Sequence, residues 1–248
     1  QRQMCIRDSY WRQLPPKGRI GIFFGNWYSQ MLQGRVHGDL KKDQLNGAIE
    51  GALGLEQMLC NEGTLIFKFW FHLSKKQMLA RLESLKDDPL HSWRLSPLDW
   101  QQSKTYDKFV RAGEDVLRRT SRDYAPWYIV AGADANYRSL TVGRILLEGL
   151  QAVLRGSAER APLPHATPLM TRTDQRSLLD SLDMRLSLAK ADYRAQLVRE
   201  QARLAQLMRD KRMRRHALVA VFEGNDAAGK GGAIRRVAAA LDLSLIHI

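Results

Sequence analysis

The chain has 248 residues, 44% of them hydrophobic and 26% charged, the make-up of a soluble globular protein with room for one large or two small domains. A net charge of +13 calls for a polyanionic partner such as nucleic acid, polyphosphate, nucleotides or an anionic membrane surface. Two cysteines, Cys5 and Cys60, exclude a disulfide framework, and no apolar run reaches the ~18 residues of a membrane span, so a cytoplasmic protein without membrane attachment is expected.

After Pro15-Pro16, residues 19–25 read as a short buried strand, followed by a polar break. Residues 43–60 have helical periodicity through Leu45, Ile49, Leu53 and Leu59, and Gly63 marks the helix end. Residues 64–73, rich in aromatic and branched side chains, form the clearest strand and suit a sheet covered on both faces. Ser74 caps a helix to about Leu85. Lys75 and Lys76 lie in its first turn, where cations oppose the helix dipole, so a phosphate-facing role competes with a plain surface role. A basic loop, 86–94, follows. Ser96, Pro97 and Asp99 supply cap, first-turn proline and acid to a helix expected to run to Arg119. Residues 127–131 form the third strand and 137–154 the next helix. Residues 156–173 carry three prolines and read as a linker. Residues 190–215 form a long basic helix with a narrow apolar stripe at Leu197, Leu204 and Leu207. Strands alternating with helices predict an α/β fold with a mainly parallel sheet. Trp70, Trp93, Trp100 and Trp127 are expected to pack in the core. The histidines and cysteines show no zinc spacing.

The most informative stretch starts at Val219. An apolar strand runs into Gly224, four residues follow, and Gly229-Lys230 opens a helix, which is the P-loop order. Gly224, Asn225, Asp226, Ala227, Ala228, Gly229, Gly231 and Gly232 would bring backbone N–H groups to a phosphate, at a helix N-terminus that adds partial positive charge. Lys230 would supply a mobile cation. Gly231 stands where a P-loop usually has the Ser or Thr that holds Mg²⁺, so Asp226 is the expected oxygen ligand. Arg235 and Arg236, one turn on, either contact a phosphate chain or form a solvated helix face.

Read with Phe24-Gly25-Asn26-Trp27-Tyr28, residues 68–74, Leu95 to Trp100, and residues 119–127, this loop resembles the polyphosphate kinase 2 family. More narrowly it is similar to that family's tandem form, in which two kinase domains are fused. The resemblance implies a three-layer α/β/α P-loop kinase fold, Mg²⁺, and phosphoryl transfer from polyphosphate to a nucleotide, AMP to ADP being favoured. It implies a catalytic role for Asp226 and Lys230, metal binding at Asp226, and nucleotide or phosphate contacts along 224–232, Arg235 and Arg236. Residues 10–154 would be the back part of a first domain without its own P-loop, 155–188 a linker, and 189–243 the opening of a second. Residues 1–9 and 244–248 are expected to be non-native, and the whole to be a piece of a longer protein with little turnover of its own. Active members end the first strand with Asp-Arg before Ser-Trp-Tyr. Here Phe24 is followed by Gly25 and Asn26, and neither supplies an anionic oxygen. The loop at 86–94 falls at the lid position. A non-catalytic polyphosphate or nucleotide binder and a nucleotide-dependent small-molecule kinase are the alternatives. Nucleic acid is not an expected partner, and self-association stays open. The strand 218–222 is expected to insert between strands 19–25 and 64–73, bringing Lys230 near Asn26.

Overall fold

The computed structural model describes residues 10–87, 97–155, 178–179, 181–242 and 246–247. Most of the basic loop at 86–94 and the whole of the linker stretch 156–173 lie outside the described residues, as do residues 1–9.

The described strands are β1 (Ile20–Phe23), β2 (Leu65–His72), β3 (Trp127–Ala131), β4 (Leu218–Gly224) and β5 (Ile246–His247). They form one parallel sheet in the order β3-β2-β4-β1-β5. The helices are α1 (Trp27–His37), α2 (Lys42–Asn61), α3 (Lys75–Lys86), α4 (Pro97–Lys104), α5 (Tyr106–Thr120), α6 (Ala135–Leu154), α7 (Lys190–Met208) and α8 (Lys230–Ala238).

Alternation along each strand splits the core into two layers. Ile22, Phe67, Phe69, Val130, Ala220 and Phe222 face α6, α7 and α8 through Val142, Leu146, Leu204 and Val237. Their neighbours Ile66, Trp70, Trp127, Val219 and Val221 face α1, α2 and α5 through Trp27, Leu32, Ile49 and Val116. Side chains of successive strand residues point to opposite faces, so apolar runs of this kind need helices on both sides.

β4 lies at the centre. Ile20 and Leu65 both stand in register with Leu218, and the pairing continues to Phe23 on one side and to Phe71 beside Gly224 on the other. The stretches before and after the linker therefore share one sheet.

The helix expected from Ser96 to Arg119 is two helices. Thr105 interrupts it between Lys104 and Tyr106, its hydroxyl donating to the Gln102 carbonyl at 3.1 Å. That bond, side chain to local backbone, competes with helix continuation. The basic helix ends at Met208, and Lys211–Arg215 form a separate 3-10 turn capped by Asp210. The polar break after β1 is in fact α1. Asn26 caps it by accepting from the Tyr28 N–H at 2.9 Å, and Gly38, in the left-handed region, ends it.

One polar cluster sits inside the α1/α2/α5 layer. Lys68 Nζ, fully buried, donates to Glu56 Oε2 at 2.7 Å, to the Thr120 carbonyl at 2.8 Å and to Tyr28 Oη at 3.2 Å. Glu56 also accepts from Tyr28 Oη at 2.7 Å and from Trp27 Nε1 at 3.2 Å. Desolvation pulls the Lys68 pKa down, and the Glu56 charge opposes that shift. Lys68→Met would leave the Glu56 carboxylate buried without its counter-ion, a change that costs about 3–5 kcal/mol. Urea unfolding of the variant should show that loss. A loss below about 1 kcal/mol would mean that the pair does not carry buried charge.

Candidate active site

The site lies at the C-terminal edge of the sheet, where β4 passes into the loop 224–229. Gly224 has φ 124°, and a Cβ there would stand 2.1 Å from the Phe71 carbonyl oxygen. Only glycine fits, because strand β2 runs against it. Gly229 has φ 88°, and a Cβ there would meet the Arg138 guanidinium at 2.1 Å. Ala227 is also in the left-handed region, at φ 57°. These turns lead into the N-terminus of α8, an arrangement that suits an anion.

Lys230, the first residue of α8, folds back over the loop. Its Nζ donates to the Gly224 carbonyl at 2.5 Å and to the Asn225 carbonyl at 3.1 Å, and lies 3.9 Å from Asp226 Oδ1. It also stands 5.9 Å from the centre of the Phe24 ring, which is more than half exposed. Burial lowers the Lys230 pKa, while Asp226 and Glu223 favour the charged form. Asn225 is buried and its side-chain oxygen accepts from the Leu73 N–H at 3.3 Å, tying the loop to the end of β2. Ala228 is buried too.

A cleft of about 190 Å³ opens beside the loop. Asp226, Lys230, Glu223 and Ser29 line its polar side, and Phe24 and Phe109 belong to its apolar side. Glu223 was not singled out by sequence reasoning, although a carboxylate at the end of an otherwise apolar strand is a visible signal. Ser29 Oγ donates to Glu223 Oε1, and Asn26 Nδ2 donates to the same oxygen at 3.1 Å. Burial raises the Glu223 pKa, and Lys230, Ser29 and Asn26 act against that rise. Asn26 is thus a helix cap that also orients Glu223.

Two arginines, also unanticipated, brace the back of the loop. Arg81 donates to the carbonyls of Ala227 and, at 2.9 Å, of Ala133. Arg138 donates to the Gly132 carbonyl at 2.8 Å, and its Nε is buried without a partner. Burial, then the neighbouring Arg81 charge, lowers the Arg138 pKa to about 10, so it stays cationic at neutral pH. Arg236 turns to Tyr193 Oη and the Gly232 carbonyl, and Arg235 is exposed on α8. Neither lines the cleft. Lys75 pairs with Asp107 at 2.7 Å on the surface.

Among the described residues no three His, Cys, Asp or Glu side chains gather as a metal cage. Two carboxylates beside a phosphate-binding loop still suit Mg²⁺, which keeps waters and takes the rest of its oxygen ligands from substrate phosphates. No helix among the described residues is long and apolar enough to cross a membrane.

A sheet with its central strand running into a glycine-rich loop and a lysine-led helix defines a P-loop phosphate-binding protein. The chain belongs to the polyphosphate kinase 2 family, whose profile matches residues 2–156 and 187–248. It is 72% identical over 233 residues to the polyphosphate:AMP phosphotransferase of Pseudomonas syringae pv. tomato, covering 94% of this chain and 47% of that protein. It is 66% identical to the protein of the same name from Pseudomonas aeruginosa, covering 96% of this chain and 48% of that one. A crystal structure described as a polyphosphate kinase 2 from Pseudomonas aeruginosa is 58% identical, with a TM-score of 0.50 over 95% of this chain and 43% of its own. The chain thus spans about half the length of the curated relatives it matches.

Glu223 supplies a pH test. The folded protein holds the Glu223 proton more tightly than the unfolded chain. Its contribution is therefore full below the ordinary value of 4.5 and is lost as pH rises through the raised folded value. Glu223→Gln should raise the thermal midpoint at pH 7 and gain much less at pH 4. An equal gain at both would show that the Ser29, Asn26 and Lys230 contacts cancel the effect of burial.

Proposed function

We propose that this chain carries the P-loop site of a phosphotransferase that moves the terminal phosphoryl group of polyphosphate to a nucleotide, with AMP as the acceptor. The observation that carries the reading is the Gly224–Lys230 loop, opening onto a cleft that also holds Glu223, Asp226 and an aromatic wall. The names of the relatives at 72% and 66% identity supply the donor and acceptor classes.

The chemistry asks for positioning and charge neutralisation more than for proton transfer. A phosphate oxygen of the acceptor attacks the terminal phosphorus of the donor. A P–O bond forms in the nucleoside diphosphate, the anhydride P–O bond breaks, and the shortened chain leaves as an anion. The attacking oxygen is already anionic, so no general base is required. The loop amides and the α8 N-terminus hold the transferred group. Lys230 exchanges its carbonyl partners, Gly224 and Asn225, for phosphate oxygens. Phe24 and Phe109 offer apolar faces to an acceptor base. Asp226 and Glu223 would hold Mg²⁺, which would supply positive charge to neutralise the reacting phosphates.

Phe24 is what the cleft presents where active members carry an acid, so the site is one carboxylate short. A binder of polyphosphate without turnover is the second reading, and Phe24 is the observation in its favour. Both are tested by following ADP from AMP, Mg²⁺ and polyphosphate. Phe24→Asp should raise turnover on the order of tenfold, and Lys230→Ala should lower it by on the order of a hundredfold in either background. No rise with Phe24→Asp, together with unchanged polyphosphate binding, would favour the binder. Turnover indifferent to Lys230 would sink the phosphotransferase reading.

A further inference from the structure

Away from the P-loop, α1, α2 and α5 enclose a second depression of about 510 Å³. Arg35 lines it from α1, Lys42 from α2, and Lys108, Arg111 and Arg119 from α5, with Asp115 the one carboxylate in the lining. Arg119 is committed to Asn46 at 2.7 Å and to Asp115 at 3.4 Å. Arg111 spends its Nε on the Asp107 carbonyl at 3.1 Å and keeps its other donors. Arg35, Lys42 and Lys108 are exposed and have no acid partner among the described residues. Like charges gathered in one concavity repel one another, and here one acid faces five cations. The arrangement has too little compensating charge for a surface ion-pair network and suits a multivalent anion.

Two observations narrow the anion. The non-polar part of the lining is only Leu45 and Ala112, both buried, so no aromatic platform is offered to a nucleobase. The groove also shares its walls with the catalytic cleft. α1 gives Ser29, Gln33 and Val36 to the cleft and Arg35 to the groove, while α5 gives Tyr106 and Phe109 to the cleft and Lys108 and Arg111 to the groove. A chain of phosphates with one end at Lys230 would find these cations on the far side of the same two helices.

We propose that the α1/α2/α5 groove is a second anion site that holds the trailing phosphates of a long polyphosphate chain. It rests on the preceding reading for the class of ligand, and it makes affinity depend on chain length. A three-phosphate chain fills the P-loop and stops there; a long chain adds the groove.

The test compares two triple variants with wild type. One is Arg35→Gln/Lys42→Gln/Lys108→Gln in the groove. The other is Lys190→Gln/Arg194→Gln/Arg209→Gln, which removes the same charge from exposed positions on and after α7. Thermal midpoints confirm that both fold. Binding of long-chain polyphosphate, tripolyphosphate and a mixed-sequence single-stranded oligonucleotide is measured at low and high salt. The groove variant should lose on the order of tenfold in long-chain affinity, with a shallower salt dependence and tripolyphosphate binding unchanged. The control variant should lose much less. Equal losses in the two variants would overturn the proposal, leaving only diffuse attraction by net charge. An oligonucleotide that binds wild type as tightly as long-chain polyphosphate, and loses as much in the groove variant, would overturn it in favour of a nucleic-acid surface. The underlying reading is checked separately: tripolyphosphate binding indifferent to Lys230→Ala would defeat that reading, while the comparison of the two triple variants still decides the groove.

Discussion

Everything at the site depends on β4 being paired along both edges. Without it, β1 and β2 would each expose a row of unpaired N–H and C=O groups beneath two layers of helices, where water cannot satisfy them. With it, the two layers of core close over a continuous sheet, and the strand that joins them is the one that delivers the phosphate loop. The loop therefore inherits its position from backbone pairing. Gly224 is the tightest point of that dependence, since the residue that begins the loop is also the last partner of β2.

The two faces of the sheet handle charge in different ways. On the α1/α2/α5 side, Lys68 and Glu56 satisfy each other and three further groups in a fully buried cluster. At the sheet edge, Glu223 and Lys230 are nearly as buried but are held by contacts that a phosphate or a cation can replace. The first arrangement specifies packing. The second stores polar groups whose best partners are not part of the chain.

Much of the architecture was legible because it rests on local signals. The aromatic run of β2, the Ser74 cap and the strand-glycine-lysine order of the loop each carry their own reason for forming. The central position of β4 followed from asking where an apolar strand without neighbours could go. The helix α1 was missed although Trp27/Met31 and Tyr28/Leu32 sit at helical spacing and Asn26 and Gly38 mark its ends. Its Ser, Gln and Gly residues made the segment look like a break. The division of the 97–120 region at Thr105 turns on one side-chain hydrogen bond, which composition does not reveal. At the site, the loop residues were visible as a motif. Glu223, Ser29, Arg81 and Arg138 were not assembled, because they come from four elements and meet only after the sheet closes.

Arg81 holds the loop from behind through the Ala227 carbonyl, and it and Arg138 both bond the carbonyls of the β3 end, Arg138 lying against Gly229. Their hydrogen bonds go to carbonyls, so their charge is not consumed, since a carbonyl carries no net charge to cancel a guanidinium. Both are largely withdrawn from solvent, where mobile ions reach poorly. A phosphate on the front of the loop thus sits in the field of two guanidinium groups held behind it, which mobile ions screen less than they screen exposed cations. The grip on the end of the ligand would weaken less steeply with salt than any hold on the remainder, which rests on exposed cations.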